Sequence, residues 1–137
     1  MNTLSKIFII KISATLIFWC LPLILMPASM LESAGLINLQ SIMFARMLGW
    51  AYLALCLCYF FGLKSSLKGD RAMGPIWVGI MSNAGACLYL MYFGLSDAWI
   101  TLGSFIQFIS WASAVFTLAI TFGLYLFGVR GKGPCFF

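Results

Sequence analysis

The sequence predicts an all-α membrane protein, a four-transmembrane-helix bundle with both termini cytoplasmic. Three observations carry the prediction. The 137 residues are 64% hydrophobic and only 8% charged, far from the composition of soluble domains. They fall into four apolar runs, each near the roughly 20 residues needed to cross a bilayer core about 30 Å thick. If all four runs span, seven of the eight cations (Lys6, Lys11, Lys64, Lys68, Arg71, Arg130 and Lys132) lie on one side, and Glu32 and Asp97 on the other. The excess of lysine and arginine marks the cytoplasmic side. One transmembrane domain, 1–137, with helices at about 7–30, 41–63, 75–95 and 98–129, uses nearly the whole chain. No length is left for a soluble catalytic domain.

The first run extends from Ile7 to about Met30, with Lys6 and Lys11 at its start and Pro22 and Pro27 in its second half. A secretory signal peptide has a similar basic start, and Met26, Pro27, Ala28 resembles a cleavage end. The run nevertheless exceeds a signal's apolar region, so a retained helix is expected. Each proline removes a backbone donor and crowds the preceding turn, so the helix should kink near Leu21 and end near Pro27. Leu31 to Gln40, with Glu32, Gly35, Asn38 and Gln40, reads as a connector. The second run, Ser41 to Leu63, is closed by the basic loop from Lys64 to Arg71, and Pro75 opens the third helix.

The third helix gathers Gly79, Ser82, Asn83, Ala84, Gly85 and Ala86 near its middle. Side chains this small let helix backbones approach closely. After a turn at Ser96 and Asp97, the fourth helix runs from Ala98 to about Val129, long enough to tilt or to emerge on the basic side. Its stripe of Gly103, Gln107, Ser110, Ala114, Thr117 and Thr121, spaced three or four apart, has the pattern of a packing face. Gly49, Gly79, Ala86, Gly103, Ser110 and Ala114 are therefore the expected packing positions. The tail from Arg130 to Phe137 is too small to fold alone.

Arg46 is the one cation that fits no loop. It lies about five residues inside the second run, roughly 7 Å at 1.5 Å per residue. Two readings are open: the guanidinium snorkels to lipid phosphate, or it turns inward to Glu32, Asp97 or a ligand oxygen. Arg46, Gly49 and Leu53 share a face, and the glycine leaves room for a group to approach. Asn83 and Gln107 are amides where hydrocarbon offers no hydrogen bond, so each needs a partner, structural or ligand. Trp50 and Trp111 either fill the bundle or line a cavity for a lipophilic molecule. Arg46, Trp50, Asn83, Gln107 and Trp111 are the candidate ligand site or polar cluster. Lys11, one turn inside the first run, is expected to snorkel without a function.

The remaining chemistry is bounded by absences. There is no histidine, which excludes bis-histidine haem ligation, histidine-based metal sites and a histidine general base. The five cysteines include four within apolar runs, where small buried thiols are ordinary. Cys56 and Cys58 do not reproduce the CxxC spacing of redox proteins. Cys135 is third from the end, whereas prenylation needs the fourth. The net charge of +5 sits at helix ends rather than on a polar basic stripe, so it speaks for orientation and not for nucleic acid. No paired carboxylates, serine with a base, phosphate-cradling loop or metal cluster is present. No enzyme activity and no cofactor are expected.

Phe44, Ala45, Arg46, Met47, Leu48, Gly49, followed by an apolar run, a basic loop and a small-residue third helix, resembles the small four-helix bacterial membrane proteins of the DoxX-like group. The resemblance lies in hydropathy layout and the short Ala-Arg-x-x-Gly phrase, so of the site residues only Arg46 and Gly49 transfer. It implies a bacterial inner-membrane location, and that group includes some subunits associated with quinone-linked oxidation. The expected function is a non-catalytic subunit or assembly partner of a larger membrane complex, in contact with membrane lipids and with other subunits or a second copy. The alternative is a binding protein or carrier for a quinone, lipid or pigment, with the five candidate residues converging on a cavity.

Overall fold

The computed structural model of the chain describes residues 2–33, 42–96, 104–131 and 135–136. In order these form α1 (Thr3–Thr15), a π-helical segment (Leu16–Cys20), α2 (Leu21–Leu25), α3 (Ala28–Ser33), α4 (Ile42–Leu67), β1 (Arg71–Ala72), α5 (Met73–Leu95), α6 (Ser104–Gly123), a second π-helical segment (Leu124–Val129) and β2 (Cys135–Phe136). Among the described residues four helices are long and apolar enough to cross a membrane: Thr3–Leu25, Ile42–Leu67, Met73–Leu95 and Gln107–Val129. The expected positions Ser41, Asp97, Gly103 and Lys132, and the start of the fourth helix at Ala98, lie outside the described residues.

The helix boundaries differ from the expected ones for local reasons. The first helix begins at Thr3 rather than Ile7 because Asn2 caps it, its Oδ1 accepting from Ser5 N at 2.8 Å. The kink expected at Leu21 is a widened turn: Leu21 N donates five residues back to Leu16 O. That wider register accommodates Pro22, whose ring would otherwise press on the carbonyl four residues earlier. The helix then stops at Leu25, close to the end expected near Pro27 and short of the run's limit at Met30. Met26 is extended (ψ 141°), as a residue before proline prefers, and the short α3 restarts after Pro27.

The second helix runs past Leu63 to Leu67 and takes Lys64, Ser65 and Ser66 out of the expected loop. What stops it is Gly69, with φ of 88°. Asp70 N donates to Ser65 O at 3.1 Å and Gly69 N to Ser66 O at 3.1 Å, the paired closing bonds of a left-handed glycine terminus. The third helix starts two residues before Pro75, which sits in the first turn, where its missing donor costs nothing.

The helices run antiparallel in sequence order around a ring. The glycines show it: a Cβ on Gly62 of α4 would meet Phe8 Cζ of α1 and Pro75 Cβ of α5, each at 2.8 Å. One on Gly79 would meet Leu124 Cδ1 at 2.6 Å, and one on Gly123 would meet Ile7 Cδ1 at 3.0 Å. The starts of α1 and α5 and the ends of α4 and the fourth helix thus share one end of the bundle. The expected small-residue seam on α5 is narrower than its composition suggests. Gly79 is in close contact, whereas a Cβ on Gly85 would meet nothing within 4 Å, and Ala86 is half-buried. On α6, Gln107, Ser110, Ala114, Thr117 and Thr121 are all buried or half-buried, and α5 and α6 form the most extensive helix pair.

The core, Leu4, Phe8, Tyr59, Ile76, Ile120 and Leu124, lies towards the shared end. That end is also knit by polar contacts. Asn2 Nδ2 donates to Ser66 O at 2.9 Å, and the buried hydroxyls of Ser5 and Ser66 lie 2.9 Å apart. Arg71 Nη1 donates to Gly128 O and Val129 O, both at 3.2 Å. The tail, expected to be too small to fold alone, is held by a two-residue parallel bridge, Arg71 opposite Cys135 and Ala72 opposite Phe136. Large apolar side chains such as Phe18, Phe44, Met81, Leu88 and Phe108 point outward, the reverse of a soluble domain.

Candidate functional site

Two of the cations within the apolar helices lie well away from the helix ends, and each is placed by a different device. The first is Arg46. Pro27 has no N–H, so Leu23 O, four residues earlier, loses its helical donor, and the break at Met26 frees a second carbonyl. Arg46 Nη1 donates to Leu23 O and Nη2 to Met26 O, both at 2.6 Å. The flat fork of the guanidinium suits two acceptors at once. Gly49, one turn along α4, makes the reach possible: a Cβ there would lie 2.7 Å from Ile24 Cγ1 and 3.1 Å from Leu23 Cβ. The shared face of Arg46 and Gly49 does admit an approaching group, and that group is the backbone of the first helix. The lipid-snorkelling reading is therefore corrected. Of the expected acidic partners, Glu32 is exposed and Asp97 lies outside the described residues.

The second is Lys11, for which the sequence predicts snorkelling without a function. Its Nζ donates to Asn83 Oδ1 across the bundle and lies 5.9 Å from the ring centre of Tyr59, within range of a cation–π attraction. Asn83 is 1% exposed, and its Nδ2 donates to Gly79 O at 2.6 Å. The hydroxyl of the buried Tyr59 lies 2.7 Å from that of Ser82. Three helices thus contribute to one polar junction. The missed signal was the cap: with Asn2 read as the start, Lys11 lies eight residues beyond Thr3, about 12 Å along the helix axis rather than a single turn in.

Two of the five candidate residues, Arg46 and Asn83, have partners other than each other: backbone carbonyls for the one, Lys11 and Gly79 O for the other. Arg46 holds the broken end of the first helix, and Asn83 holds Lys11. Trp50 is 63% exposed and Trp111 41%, so Trp50 faces largely outward and Trp111 is more than half covered. Gln107 is half-buried on the inward stripe of α6. The stripe's threonines bond within their own helix, Thr117 Oγ1 to Ser113 O at 2.9 Å and Thr121 Oγ1 to Thr117 O at 2.8 Å. An open apolar groove of about 470 Å³ follows the seam between the first two long helices, lined by Ile12, Leu16, Leu53, Cys56, Phe60 and, of the five candidate residues, Trp50. Among the described residues no group of three or more histidine, cysteine or carboxylate side chains is placed to hold a metal.

No family model, no curated protein and no solved structure matches the chain. Chemically, the arrangement consists of hydrogen-bond donors matched to acceptors of the same chain, in apolar surroundings that strengthen each bond.

Proposed function

We propose that the chain is an integral membrane protein of the bacterial inner membrane, with both termini cytoplasmic, acting as a non-catalytic subunit or assembly partner of a larger membrane complex. The observation that carries this reading is the division between inside and outside. Arg46, Lys11, Asn83, Tyr59 and Ser82 engage one another or the chain's own carbonyls, while the outward faces carry large apolar side chains. Recognition is left to those faces, which suit lipid, other membrane helices or a second copy. The DoxX-like layout, with Arg46 and Gly49 at the first helix seam, agrees with such a role, and the charge distribution supports the orientation.

Native mass spectrometry after gentle extraction tests the reading. A stable mass containing partner chains or a second copy is the expected result. A monomer carrying one stoichiometric small molecule overturns it in favour of a lipophilic carrier, the reading that the apolar groove at the first seam favours. Orientation is tested separately in intact cells: Cys135 should resist an impermeant thiol reagent, and ready labelling reverses the topology.

A further inference from the structure

The groove at the first seam is apolar along its length and ends beside charge. On α4 its wall includes Trp50, Leu53, Leu57 and Phe60. The last three recur three or four residues apart, and the next position on that face is Lys64, still helical and exposed. From Trp50 to Phe60 the wall is about 15 Å long at 1.5 Å per residue, the depth of one leaflet of a bilayer core about 30 Å thick. On the first helix the wall is Ile12 and Leu16. Gly62 packs against Phe8, so the two helices are level there, and two residues farther out on each stand Lys64 and Lys6, both exposed. Around this shared end the cations Lys6, Lys64, Lys68, Arg71 and Arg130 stand against one carboxylate, Asp70, among the described residues. A second apolar depression, lined by Leu88, Tyr89 and Tyr92, lies towards the opposite end of α5, a helix with no cation.

We infer that the groove is a site for an anionic phospholipid of the leaflet at the shared end, one acyl chain lying along the wall from Phe60 towards Trp50 and the phosphate meeting Lys64 and Lys6. The apolar wall takes a chain from any lipid, so it fixes depth and not identity. Identity comes from the lysines. An ammonium binds phosphate as a point charge, and each lysine beside an anionic headgroup should add about fivefold to the preference over a zwitterionic lipid. The inference rests on the membrane placement proposed above and not on the subunit role, and it assigns a resident lipid rather than a cargo.

The test uses the full chain in detergent, given equal amounts of phosphatidylglycerol and phosphatidylcholine with matched acyl chains and read by native mass spectrometry. The expected result is one retained phosphatidylglycerol per chain, at an occupancy at least about fivefold that of phosphatidylcholine. Lys64→Ala should lower that ratio about fivefold, and Lys64→Arg should keep it. Ala54 also lines the groove, so Ala54→Phe, which fills it and leaves both lysines, should lower retention of both lipids. Equal retention of the two lipids by the wild-type chain overturns the inference, as does a ratio unchanged in Lys64→Ala. Phosphatidylglycerol with a photoreactive acyl chain gives a reading that no variant's misfolding can disturb: labelling within 12–16 and 50–60 is expected, and labelling confined to Leu88, Tyr89 and Tyr92 overturns the site. Partner chains and lipid appear as separate mass increments. A complex without phospholipid therefore overturns this inference and not the subunit reading, and a partnerless chain retaining phosphatidylglycerol does the reverse.

Discussion

Arg46 and Lys11 are both cations inside apolar helices, yet they are held in different ways. Arg46 donates to two backbone carbonyls, Leu23 O and Met26 O, on the adjacent helix in sequence. Lys11 donates to a side-chain amide 72 residues away, Asn83 Oδ1, beside the face of Tyr59. One cation repairs a defect that prolines make in the chain, and the other joins helices by matching side chains. Arg46 should therefore behave as a replacement for backbone hydrogen bonds, and Lys11 as one member of a pair.

The sharpest way to break the comparison is to remove Arg46. Arg46→Ala leaves two carbonyls without donors and should cost about 4 kcal/mol, taking a few kcal/mol as the cost of two buried unsatisfied acceptors. Thermal unfolding followed by circular dichroism in detergent reads this loss. Arg46→Lys, which offers a point charge and no fork, should recover about half of it. Adding Pro27→Ala to Arg46→Ala should also recover stability, since the new N–H can serve Leu23 O. No recovery there would mean that the arginine is not filling a gap left by proline.

Next in size is Asn83→Leu, which strands the Lys11 ammonium and should cost about 2–3 kcal/mol, the range for a hydrogen bond to a charged group. Lys11→Met combined with Asn83→Leu should be more stable than Asn83→Leu alone, because replacing both partners with apolar groups removes the stranded charge. Purely additive losses in that double variant would deny that the two residues act as a pair.

Two glycines distinguish rigid from yielding approaches. In Gly49→Ala the new methyl meets Ile24 Cγ1 at 2.7 Å and Leu23 Cβ at 3.1 Å, atoms close to a backbone that Arg46 must reach. It should cost about 2 kcal/mol, as overpacking does. In Gly79→Ala the close atom is Leu124 Cδ1, the far end of a side chain that can rotate, so the loss should be distinctly smaller. Equal losses would mean that backbone approach does not limit the first seam. The smallest effect belongs to Tyr59→Phe, which removes the hydroxyl 2.7 Å from Ser82 and should cost about 1 kcal/mol, a single neutral hydrogen bond.

The sequence by itself determined four long apolar helices, the disturbance of the first helix by Pro22 and Pro27, the inward stripe on α6 and the closeness of approach at Gly49. These follow from composition and from rules that act within a few residues, where proline and glycine effects do not depend on the rest of the fold. Helix ends were less legible because apolar runs mark hydrocarbon length, whereas Asn2 and Gly69 set the ends through capping bonds. Tertiary structure alone decided the partners. Pro27 already implied an orphaned carbonyl at Leu23, and the arginine that fills it was visible, but only packing of α4 across Gly49 brought them together. Nothing local relates Lys11 to Asn83, which lie on helices from opposite halves of the chain. Their pairing depends on the order and rotation of the helices in the ring, and that arrangement comes from the combined shapes of all four inward faces.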